Sequence, residues 1–463
     1  MLLLGYILLL AFVFFFEMLR KKYVFVDFIL LFNVYFVFSY LIPAIAFLSA
    51  SEQFSEWRFL AIVPQSMDSF LVFFAVLIGY LAIIVGYQIG VKQNANVYPN
   101  IGFKYGEKTQ LALVMVFFLI ISFAFFAYAY GHGGIIELIL SGKDIRAGRQ
   151  SAGVYQYAEY FSQGLPLSML LFYSFKKYAR KQSIRSFTSC FFLLSFPLSL
   201  INAVGTAGRG KIGFVFLLFL FFWWNFDGPK ISKKKIFTML FFLLFVFFLV
   251  TFGKSAIWTL HALSDGPIAY LEAFQRHREL HVETGGIGFS GYLTAFARNV
   301  DHGLVSVYLA LHNPEIYQTP RLFFDWPRAF IDIVPGISQP EFIVSSTPSG
   351  LNRDFLGVEG HVPPGWVAMK IINGGVFWLL AGSLIAGFIG GYLNRVLYQS
   401  WHSSPIMPAL FIYIAFFWKD YIVGTDPFMF VLPNLSTFLI LALLVWMFVI
   451  RKEGNYRGSK HFT

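Results

Sequence analysis

The chain has little charge, almost no cysteine and no stretch that reads as a nucleotide site. Only 13% of its residues are Asp, Glu, Lys or Arg, against 57% hydrophobic. A soluble globular protein carries about 25% charged residues, so a water-soluble fold is excluded. The single cysteine, Cys190, lies inside an apolar run, which excludes disulfides and cysteine metal sites within one chain. No Gly-rich nucleotide loop, Walker-type lysine or haem ligand pattern occurs. Met1–Phe16 lacks the preceding positive charge of a secretory signal, because Arg20, Lys21 and Lys22 follow it. It reads as a retained first helix.

What is present is one apolar segment after another, rich in phenylalanine. A span needs about 20 mostly apolar residues. The segments are Leu2–Glu17, Phe28–Leu48, Phe70–Ile89, Leu111–Tyr130, Tyr160–Phe175, Phe187–Ala203, Ile212–Asn225 and Ile236–Phe252. After a polar insert come Ile371–Leu393, Ile406–Val423 and Leu435–Ile450. The expected fold is therefore all-α and polytopic with about eleven spans, since lipid-exposed backbone must satisfy its own hydrogen bonds. The chain divides into residues 1–253 (spans and short loops), 254–370 (one large loop) and 371–463 (the last spans and a tail).

Lysine and arginine collect in alternate short loops. Arg20-Lys21-Lys22, Lys92/Lys104/Lys108, Lys176–Arg185, Lys230–Lys235, Arg395 and the Arg451–Lys460 tail fall on one side. Positive loops stay cytoplasmic, so the N-terminus and the large loop are expected outside and the C-terminus inside. The formal charge of +11 then marks topology and contact with anionic lipid, and nucleic acid is not an expected partner.

Within the large loop every interior basic residue is arginine: Arg276, Arg278, Arg298, Arg321, Arg328 and Arg353. Lysine stands only at its borders, Lys254 and Lys370. The arginine fork suits phosphate, so a loop of this kind on a membrane scaffold fits an anionic, membrane-tethered substrate. Arg209 in TAGRGK lies between glycines at a helix start, where backbone N–H groups favour anions; the competing reading is an arginine reaching lipid headgroups. Arg146 and Arg149 in KDIRAGR share a face if helical, to clamp a phosphate or to pair with Asp144 and Glu137. His277 and His281 flank Glu279 at helical spacing, but Arg276 and Arg278 would repel a cation, leaving a solvated face. FARNVDHG groups Arg298, Asp301 and His302, either a base with its orienting acid or an ion pair. His361, after Glu359 in EGHVPPGW, stands on a proline-stiffened loop and is suited to take a proton near neutral pH. Lys419 and Asp420 end an apolar helix, as a substrate contact or as mutual neutralisation. The glycines from Gly374 to Gly391 read as helix-packing surfaces.

In this order, SGKDIRAGR, AGRGK, ARNVDHG, RAFIDIVPG, GHVPPGW leading to INGG, and WKD resemble the bacterial oligosaccharide repeat-unit polymerases. That Wzy-type family includes O-antigen and enterobacterial common antigen polymerases, and the resemblance covers roughly residues 120–430. It implies a GT-C-like helical fold in the bacterial cytoplasmic membrane and a role in lipopolysaccharide or related polysaccharide biosynthesis. The growing glycan would pass from undecaprenyl diphosphate onto a new lipid-linked repeat unit, with no metal and no cofactor. Arg209 with Arg298, Arg146 or Arg149, and Lys419, would hold the diphosphate and glycan. His361, Glu359 or Asp301 would take the acceptor proton. A chain-length regulator and a flippase are the implied protein partners. An O-antigen ligase, a transporter or flippase for lipid-linked sugars, and a membrane scaffold or chain-length regulator are the competing classes.

Overall fold

The computed structural model describes residues 1–22, 24–49, 69–92, 100–146, 153–206, 209–226, 233–282, 302–317, 321, 324–331, 347–356, 362–424, 426–431 and 434–451. The main helices are α1 (Leu2–Leu19), α2 (Phe28–Ser49, with a π turn at Val37–Leu41), α3 (Phe70–Lys92) and α4 (Glu107–Gly131). Then come α5 (Leu165–Tyr178), α6 (Gln182–Gly205), α7 (Arg209–Phe226) and α8 (Lys233–Trp258). The insert contributes α9 (Pro267–Val282), α10 (His302–His312), α11 (Asp325–Ile331) and α12 (Pro348–Leu356). The chain ends with α13 (Gly365–Gln399), α14 (Met407–Gly424) and α15 (Leu435–Met447). Among the described residues six helices are long and apolar enough to cross a membrane: α1, α2, α3, α4, α6 and α13. The molecule is a helical membrane protein. The strand content described is one antiparallel pair, Asn100–Phe103 with Phe448–Arg451.

Three expected segments take other forms. Tyr160–Phe175 is divided by a turn at Gln163–Gly164 between a short helix, Gln156–Ser162, and α5. Pro166 opens α5 because its missing N–H falls where the first turn has no partner. Every residue from Leu165 to Phe175 is buried, so α5 is a central helix. The last segment leaves helix at Met447 and continues as the strand Phe448–Arg451.

The third is α13, which is two helices, 365–373 and 376–399, meeting at non-helical Gly374 and Gly375; Gly375 has φ of 65°. Positive φ is open to glycine at little steric cost. Lys370 and Gly382 would be about 18 Å apart along a straight helix. Yet a Cβ built on Gly382 lies 3.1 Å from Lys370 Cδ. One point beside Gly79 likewise meets both the Trp366 ring and Leu379 Cδ1, at 2.6 and 3.1 Å. The break folds the first piece back against the second, so Gly374-Gly375 is a hinge in the chain path and not a packing surface.

The later glycines do pack helices. A Cβ on Gly86 would sit 2.1 Å from Leu384 O, and one on Gly387 or Gly391 would sit 2.2 Å from Ile83 O or Tyr87 O. Backbone meets backbone along α3 and α13, as small residues allow between membrane helices. Gly387→Val should therefore destabilise the protein by about 1–3 kcal/mol, read as a lower unfolding temperature in detergent. An unchanged temperature would show that the two helices can separate freely.

The polar loops sort by end. At the start of α4, Glu107 accepts from Arg180 N at 3.2 Å and Ser404 Oγ donates to Gln110 Oε1 at 2.5 Å. Tyr178 meets Trp401 edge-on. At the other end of α4, about 37 Å away, Tyr130 packs on Tyr155, and the helix Ile135–Leu140 lies against the turn Leu260–Asp265. Among the described residues, the basic segments beside Glu107 and Arg180 thus meet at one end of α4, and the segment after α4 meets the start of the insert at the other.

Candidate functional site

The second end is built from three separate stretches. Glu159 receives Lys211 Nζ at 3.5 Å and Gln156 Nε2 at 2.7 Å. Asn202 is 2% exposed and bonds Ser162 through both ends of its amide. These contacts draw the start of α7 onto the segment that follows α4. Lys211 therefore has an acid beside it. His132 caps α4 edge-on to Tyr128, and its Nε2 is buried without a hydrogen-bond partner among the described residues. Burial pushes the His132 imidazole below its ordinary range, and the nearby Glu159 carboxylate opposes this only in part.

The insert does not stand off from the bundle. In α10, residues Gly303–Val307 are buried, and Gly303 closes against the Tyr40 ring. Gly365 lies against the same tyrosine hydroxyl, so α10 and the first piece of α13 enter together. Trp366, with no exposed surface, is edge-on to Phe32 and Tyr40. Asn352, also fully buried, joins the parts: its Nδ2 donates to Ser306 Oγ at 2.9 Å and Val362 O at 3.0 Å, and its Oδ1 accepts from Tyr317 Oη. A buried amide with its hydrogen bonds made orders the elements it links. Asp426, fully buried, accepts from Ser349 N at 3.2 Å near the start of α12.

The break in α13 leaves carbonyls without their helical donors. Of these, Ile372 O accepts from Arg321 N at 3.2 Å; before the break, Met369 O accepts from Asn373 Nδ2 at 2.8 Å. Arg321 also binds Asp325 at 2.7 Å. Between these lies Lys370, which is 9% exposed, its Nζ 5.8 Å from the centroid of the Tyr421 ring. Tyr421 packs in turn on Trp326 of α11 and on Phe430.

Of the residues expected to act, Lys419 is fully described. Its Nζ pairs with Asp420 Oδ1 and lies 5.6 Å from the Phe416 ring centroid. Arg209 begins α7 and Arg146 ends the short helix Gly142–Arg146. Arg149, Arg298, Asp301, Glu359 and His361 lie outside the described residues. His277 Nδ1 is 3.0 Å from Ser255 Oγ, a contact to α8 that a wholly solvated face would not make. Sequence reasoning passed over Glu159, His132, Asn352 and Asp426, whose partners come from remote stretches. Lys370 had one visible signal, as a border lysine of an insert whose interior cations are all arginine. No protein-family model, no curated protein and no solved structure matches this chain.

Proposed function

We propose that the chain is a membrane glycosyltransferase of the repeat-unit polymerase kind, working at the outer face of the bacterial cytoplasmic membrane with its N-terminus outside and C-terminus inside. The acceptor hydroxyl of a lipid-linked repeat unit attacks the anomeric carbon of the growing glycan. The bond from that carbon to the diphosphate breaks, and undecaprenyl diphosphate leaves with the electron pair. The acceptor proton passes to His361, or to Glu359 or Asp301. Arg209 with Arg298, Arg146 or Arg149 stabilises the leaving diphosphate by charge-assisted hydrogen bonds. The donor carries its own activated bond, so no nucleotide is needed, and the reaction runs without a metal.

The observation that carries this reading is the gathering of polar segments at one end of an apolar bundle. Lys211 and Glu159 join the start of α7 to the segment after α4, while α10 and α12 pack the insert onto the bundle. Purified protein given undecaprenyl-diphosphate repeat units, without nucleotide and with chelator present, should form a polymer ladder. Arg209→Lys keeps the charge but loses the planar fork, and should cut turnover roughly tenfold or more at normal membrane levels. No ladder with any lipid-linked repeat unit would sink the proposal, and wild-type turnover in Arg209→Lys would make that residue a lipid anchor.

A further inference from the structure

The geometry points to Lys370 as the counter-ion of a phosphate-bearing, lipid-tailed ligand held at the break of α13; the identity of that ligand as the glycan donor rests on the function proposed above. A buried ammonium is costly unless it is paired and hydrogen-bonded. Lys370 is 9% exposed, and among the described residues no carboxylate reaches it. The acids on the surrounding elements are engaged elsewhere: Asp325 with Arg321, Asp420 with Lys419, and Asp426 with Ser349 N. The Tyr421 face, 5.8 Å away, supplies attraction but no charge. Arg321, the other cation of the turn, is matched by Asp325, which leaves Lys370 without an acid among the described residues.

The surroundings specify the ligand's other half. The lysine stem lies against Gly382, with Tyr421, Trp326 and Phe430 clustered beside it. The carbonyls Met369 O and Ile372 O on either side of Lys370 both accept hydrogen bonds within the protein. A compact cation with three donors in an apolar setting suits a phosphate oxygen on an apolar tail. Lys419, which has its own acid, does not offer this.

The test uses the full chain in detergent, with farnesyl diphosphate and dioleoyl phosphatidylglycerol as probes and farnesol and phosphatidylcholine as controls. Farnesyl diphosphate should raise the wild-type unfolding temperature and farnesol should not. Lys370→Met should weaken that binding by about 30-fold or more, while Lys370→Arg keeps most of it. Without ligand, Lys370→Met should unfold at the same or a higher temperature, because a desolvated charge has been removed. Equal affinity in Lys370→Met, or a clear drop in its ligand-free stability, overturns the assignment. If phosphatidylglycerol alone binds through Lys370, the phosphate site stands with a headgroup as occupant and the donor assignment fails. If farnesyl diphosphate binds through Lys370 but no repeat unit is polymerised, the site stands and the proposed function fails.

Discussion

Arg20→Met is expected to destabilise the protein by about 3–5 kcal/mol, the range for breaking a buried ion pair from one side. Arg20 is 4% exposed and meets Asp27 through two nitrogens, at 2.5 and 2.7 Å, and Glu17 at 2.7 Å. Asp27, 2% exposed, also caps α2 by accepting from Leu30 N at 3.1 Å. Glu17 is tied to Lys22 at 2.9 Å and to Asn33 at 2.6 Å, and Tyr80 donates to the same Asn33 at 3.1 Å. Two acids and two bases cancel, so removing the guanidinium strands Asp27 with its charge and no partner of opposite sign. Thermal unfolding in detergent measures the effect. A loss below about 1 kcal/mol would place the network with surface pairs. Arg20→Met combined with Asp27→Leu should recover part of the loss, since a buried pair replaced as a whole is often near neutral.

His361→Ala should lower polymer yield by about 10²–10⁴-fold, the usual contribution of a positioned base. The neighbouring backbone is held: Val362 N donates to Ser349 O at 3.4 Å and Val362 O accepts from Asn352 at 3.0 Å. Pro363 and Pro364 then lead into the buried first piece of α13. The imidazole is assigned to the acceptor hydroxyl, so binding of the lipid-linked donor should survive in the variant. Polymer assays and donor binding on the same membranes separate the two roles. If His361→Gln restores most activity, the residue binds substrate and Glu359 or Asp301 is the better base. Full activity in the alanine variant removes this loop from the site.

Hydropathy made the helices legible, because a lipid-facing helix must be apolar along a length that can be counted. It could not show that Gly374-Gly375 bends α13 back, because the same small residues also serve close packing, as Gly387 and Gly391 do. Helix-end motifs were legible as local patterns: Arg209 opens α7, and KDIR lies in a short helix. Pairings across long sequence separations were not. Nothing local in Glu159 announces Lys211, and Asn352 gives no hint of Ser306 or Val362. Lys419 and Lys370 look alike as single letters at the ends of apolar runs. What divides them is the acid next to one and the lack of any acid beside the other among the described residues.

The break in α13 also bears on bilayer thickness. Thirty-five residues of unbroken helix would extend about 52 Å, far beyond a hydrocarbon layer of about 30 Å, and would have to tilt steeply or deform the lipid. The piece from 376 to 399 is about 36 Å long, which a modest tilt accommodates. Mismatch with a thinner or thicker membrane therefore acts on this second piece, through its contact with α3. The first piece, with Lys370, packs on the bundle and keeps its position relative to Tyr40 and Tyr421 as the lipid changes.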